Sequence, residues 1–158
     1  MRDRVKHHLG WLRTLSILPF SLILAAYALA LRLIPAFVVA LILIETGESL
    51  PLNEVPWFAP IVIAPVVETL VFQWFPIVVT SRLTPKPSLA IVVSAVLFSA
   101  AHYDAGILSM LIAAPSGLVL AWAFMVQRDK GIWPALSATA LVHMWVNVAV
   151  GAIRLLSD

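Results

Sequence analysis

The chain has 158 residues, 62% of them hydrophobic and only 11% charged, with a mean hydropathy of +1.02. So little polar surface cannot coat a soluble globule; with no cysteine there is no disulfide or thiolate chemistry, and the net charge of +2, carried by a few loop residues, does not indicate a nucleic-acid partner. What is left is an integral membrane protein forming one compact domain, 1–158, in which each crossing takes about 20 residues.

The start, MRDRVKHHLGWLR, is basic. The apolar run behind it is about twice a signal-peptide core in length and lacks a nearby small-residue cleavage site, so 1–14 is expected to stay as a cytoplasmic anchor. Leu15 to Ile44 follows, interrupted by Arg32 and Pro35. One tilted or kinked helix is expected here, with Arg32 reaching toward an interface or a partner, because two crossings would leave the second only about 12 residues. The remaining runs are Trp57 to Val79, Leu89 to Tyr103, Ile107 to Val126 and Trp133 to Ile153. Leu89 to Tyr103, the third span overall, is short, at about 15 residues against the usual 20. The expected fold is therefore all-α, a polytopic transmembrane bundle of about five spans.

Breakers fall at the boundaries: Gly47, Pro51 and Pro56, then Pro85 and Pro87, then Gly131 and Pro134. Trp57, Trp74, Trp122 and Trp133 lie mostly toward span ends, where interfacial anchoring accounts for them. With the amino terminus placed in the cytoplasm, Arg2, Arg4, Lys6, Arg13, Arg82, Lys86, Arg128 and Lys130 fall inside. Glu45, Glu48, Glu54, Asp104, Arg154 and Asp158 fall outside, a bias that predicts a carboxyl terminus outside.

Few side chains within the spans can carry chemistry. In APVVETLVFQWFP, Glu68 is a carboxylate near mid-span, which costs about 2.5–3.5 kcal/mol on insertion scales and so calls for a partner, a proton or a wet cavity. It can neutralise Arg32 or serve a reaction. Thr69 and Gln73, four apart, form a polar strip one residue around the helix, as expected of a face turned to a polar interior. In LFSAAHYD, Phe98 and His102 share a face, with small residues between them that permit close helix approach; a lone His here also fits an interfacial role. In ALVHMWVNVAV, His143 and Asn147 lie one turn apart, a spacing that serves interhelical hydrogen bonding as well as catalysis.

One Glu and two His on three separate helices, with an Asn one turn from a His, fit two chemistries. One is glutamate-based hydrolysis, with water activated by carboxylate and imidazole and an oxyanion stabilised by His and Asn. The other is a Glu/His/His zinc site holding hydroxide. Asn147 is a poor zinc ligand and a good amide donor, which favours the reaction without cofactor.

VETLVFQ, FSAAH and HMWVN, in this order, resemble the three motifs of the CPBP intramembrane proteases, a group that includes type II CAAX prenyl endopeptidases and bacteriocin-processing or self-immunity proteins. Those motifs read EExxxR, FxxxH and HxxxN. Thr69 stands where the second Glu is expected and Gln73 where the Arg is expected. The resemblance implies a four-helix catalytic core, 56–154, in which Glu68 is the water-activating base, His102 assists, His143 and Asn147 stabilise the oxyanion and Phe98 packs beside the site. It further implies a protein or peptide substrate in or at the lipid bilayer, with a prokaryotic cell membrane as the expected location. Small size points to one dedicated substrate, such as a sorting segment or an export peptide, more than to prenylated CAAX proteins. The competing class is non-enzymatic: a membrane binding or immunity protein, or a carrier that uses Glu68 as its proton site.

Overall fold

The computed structural model describes residues 10–46 and 58–157, and every regular element within them is helical. After a helical turn at 10–14 come α1 (Ile17–Thr46), α2 (Ala59–Leu83), α3 (Pro87–Ala100), α4 (Ile107–Gln127) and α5 (Ile132–Ser157). Most of the expected anchor, along with the breakers at 47–56 and Trp57, lies outside the described residues.

α1, α2, α4 and α5 are long and apolar enough to cross a membrane. α1 is one helix of 30 residues that continues through Pro35, as its length required. The third expected span differs. α3 has 14 residues, about 21 Å against a hydrocarbon core of about 30 Å, and ends at Ala100 instead of Tyr103. A turn and a 3-10 segment, Tyr103–Ala105, follow it, closed by Gly106 at φ 92°, a left-handed conformation that suits glycine. Apolar residues continue past Ala100, which is why hydropathy overran the helix end. The Ser99 hydroxyl donates to the Met110 carbonyl at 2.7 Å and ties this corner to the start of α4.

α4 sits centrally, packed on α1, α3 and α5, while α2 packs between α3 and α5. The side chains left outside are those of a lipid-facing belt: Leu33, Ile34, Phe37 and Ile44 on α1 are all more than 60% exposed. Inside, Phe20, Leu24, Phe98, Leu120, Val142 and Val146 belong to one apolar core, and Ile77, Ala90, Ala121, Phe124 and Ala135 form a second near the Leu83 end of α2. Basic groups gather at that same end. Arg128 donates to Ser81 at 3.0 Å, Lys130 to the Leu15 carbonyl at 3.0 Å, and Arg13 pairs with Asp129 at 3.3 Å.

α2 departs from a regular α-helix. It winds as a π-helix over Ala59–Ile63 and again over Thr69–Trp74. Each wide turn comes just before a proline, Pro65 and Pro76, whose ring crowds the carbonyl four residues back and whose nitrogen cannot donate; a shift to i→i+5 bonding relieves the clash. The carbonyls released are caught by other helices. Phe72, four before Pro76, accepts from the Ser94 hydroxyl of α3 at 2.6 Å, and Pro60, five before Pro65, accepts from the Asn147 amide of α5 at 2.7 Å. Within a bilayer, where no lipid group can substitute, such bonds set the position of α2 against its neighbours.

Candidate active site

The two side-chain donors that fix α2 also bracket its carboxylate. Asn147 holds α5 against α2, and one turn along α5 the His143 Nε2 lies 3.8 Å from the Glu68 Oε2. That is too long for a direct hydrogen bond, and a water placed to the side reaches both atoms at about 2.8 Å. His143 is only 5% exposed at its side chain, whereas Glu68 keeps 27%. The carboxylate thus forms the open side of the pair and the imidazole its wall.

His102 comes from beyond the end of α3. Its backbone, at φ −92° and ψ 8°, lies in the sparsely populated bridge region where the helix ends, and the ring folds back over the last turn of α3. Nδ1 is 2.9 Å from the Phe98 carbonyl. Because a carbonyl only accepts, Nδ1 carries the hydrogen, and Nε2 of the neutral ring is left as an acceptor. The Phe98 ring separates the two imidazoles, 4.9 Å from His102 and, edge to face, 5.4 Å from His143. Of the expected residues, then, Glu68, His143 and Asn147 meet along one helix seam, and His102 approaches across Phe98.

Thr69 and Gln73 are buried, at 1% and 0% exposure, as an interior face requires. The wider π-turn over Thr69–Trp74 swings Gln73 part of the way toward the Glu68 face, closer than a regular α-helix would place it. Six buried polar atoms here have no protein hydrogen-bond partner: Glu68 Oε2, Thr69 Oγ1, both amide atoms of Gln73, Thr139 Oγ1 and His143 Nδ1. Left dry, each would cost about 1–3 kcal/mol, together comparable to the whole stability of a domain.

Three contributors were not singled out in the sequence. Ser116 of α4 lies 3.5 Å from Arg32 Nη1, so α1 reaches the interior beside the site. Gly117 lets α3 approach: a Cβ there would stand 3.0 Å from the Ala95 carbonyl oxygen and 3.0 Å from the Phe98 ring. Thr139 lies one turn before His143 on the same face. The visible signal for Gly117 was its place in the small-residue run AAPSG of an otherwise bulky span.

A zinc ion needs at least three converging protein ligands. Among the described residues no three His, Cys, Asp or Glu side chains are grouped to hold a metal.

The structure thus defines a helical membrane protein with a carboxylate–imidazole pair, Glu68 and His143, at a helix seam and a second imidazole, His102, beside Phe98. A family model for type II CAAX prenyl endopeptidase Rce1-like proteins matches residues 51–149, and the chain belongs to that family, one of membrane proteases. No curated protein and no solved structure matches it. α1, with Arg32, lies outside the matched region.

Removal of the Asn147 amide tests the strut directly. Asn147→Ala is expected to leave the Pro60 carbonyl unsatisfied and lower stability by about 1–3 kcal/mol, read as a lower unfolding temperature in detergent. An unchanged temperature would mean that the bond to α2 contributes nothing.

Proposed function

We propose that the protein is an intramembrane endopeptidase that hydrolyses a peptide bond in a membrane-associated protein or peptide, with Glu68 as the general base. The observation that carries this reading is the Glu68–His143 separation of 3.8 Å, at which one water can bond to both groups. Glu68 takes a proton from that water as its oxygen adds to the scissile carbonyl carbon. His143 Nε2 and the second amide hydrogen of Asn147 are the donors for the developing oxyanion, and the bond to Pro60 holds the amide in place. Collapse of the tetrahedral species breaks the C–N bond, and the proton on Glu68 passes to the leaving amine. His102, whose Nε2 is left as an acceptor, orients the water or substrate. Phe98 spaces the two rings, and Thr69 and Gln73 line the buried side of the site as neutral groups.

No step in this reaction requires a metal. A chelator is expected to leave cleavage unaffected; inhibition reversed by zinc would replace the glutamate-base mechanism with a metal-dependent one. The substrate we favour is a dedicated sorting or export segment, presented within the bilayer to a protein whose amino terminus is cytoplasmic. A defining experiment compares peptide termini in membranes from cells carrying the wild type and cells carrying Glu68→Gln, because it needs no prior choice of substrate. Termini that depend on Glu68 support an endopeptidase, whereas identical sets favour a binding or immunity protein.

A further inference from the structure

We propose that the seam between α2 and α5 next to Glu68 is a blind chamber that binds water and keeps the site supplied with it. Two contacts set the register of these antiparallel helices: Asn147 with Pro60, and His143 with Glu68. One turn further toward the Leu83 end, the residue of α5 is Thr139, and the facing turn of α2 is the π-helical Thr69–Trp74. Thr69, Gln73 and Thr139 are at most 1% exposed, and none of their side-chain polar atoms has a protein partner. His143 Nδ1, on the side of the ring away from Glu68, is likewise unpartnered.

Packing chemistry identifies the ligand. A threonine hydroxyl can rotate onto a carbonyl of its own helix, but the amide of Gln73 presents two donors and an acceptor that no local backbone group meets. Neutral donors and acceptors mixed in one place, with no charge among Thr69, Gln73 and Thr139, suit water better than an ion, and buried waters typically bridge two to four such groups.

The direction of access also follows. Toward the Leu83 end the seam is stopped by Ile77, Ala90, Ala121, Phe124 and Ala135, all fully buried. On the other side stands Glu68, the partly exposed member of the pair. Water held by Gln73 and Thr139 therefore has the carboxylate as its outlet. This supply role rests on the hydrolytic reading of the site, whereas the water site itself does not.

Radiolytic hydroxyl labelling, which modifies side chains next to bound water, separates the two. In detergent-purified protein, labelling of half-buried Phe72 and buried His143 is expected in the wild type and equally in Glu68→Gln, and its loss is expected in the Gln73→Leu/Thr139→Val double variant. Thr139→Ser keeps the hydroxyl and should keep the label. A wild type unlabelled at both residues, or a double variant labelled like the wild type, would overturn the chamber. With a cleaved substrate, the double variant should lose about 10-fold in kcat with KM unchanged; an unchanged kcat would overturn the supply role. Labelled protein that cleaves nothing would retain the water site and remove the protease reading.

Discussion

Glu68→Gln is expected to fold like the wild type and to lose turnover by about 10²–10⁴-fold, the range typical of a general base. The substitution keeps shape and volume while removing the proton acceptor. Stability should hold or rise, because a carboxylate only 27% exposed is incompletely solvated in the fold, and the neutral amide carries a smaller desolvation cost. The paired measurements are thermal unfolding in detergent and cleavage rate. Loss of both together would assign Glu68 to the fold, as an ionic partner, and retention of both would leave it without a role in hydrolysis.

Gly117→Val is expected to damage stability and activity together. Its first added carbon alone meets the Ala95 carbonyl oxygen and the Phe98 ring at 3.0 Å, and one of these is backbone that cannot swing aside. Overpacking of this kind costs about 1–3 kcal/mol. Phe98 touches both imidazoles, so its displacement carries to His102 and His143, and misplacement of about 1 Å is enough for a 10²-fold loss of rate. Gly117→Ala should show the smaller version of each effect. A valine variant with wild-type unfolding and turnover would mean that the α3–α4 contact does not position the site.

Much of this architecture is legible in the sequence because bilayer thickness constrains it. Runs such as Ile107 to Val126 have one spanning solution, and the length argument that kept α1 in one piece through Pro35 relied on the same constraint. The end of α3 was not legible: SAAH continues an apolar, helix-compatible pattern, and the chain turns there because Gly106 and the Ser99–Met110 bond form a corner. Glu68, His102, His143 and Asn147 stood out because polar groups are rare in spans. Their geometry did not, because an α-helical period was assumed for a helix that Pro65 and Pro76 force into π-turns. Asn147 shows the consequence: its spacing from His143 was plain, whereas its bond to a carbonyl freed 87 residues away depends on how two prolines wind another helix.

The account rests on Glu68 and His143 acting as a pair upon water, and the most direct measurement is incorporation of ¹⁸O from labelled water into the new carboxyl terminus of a cleaved substrate. It would be followed in proteoliposomes for the wild type, Glu68→Gln and His143→Gln. The account predicts label in the wild-type product and about 10²-fold or greater loss of labelled product in both variants. Label formed at the wild-type rate in either variant would contradict it.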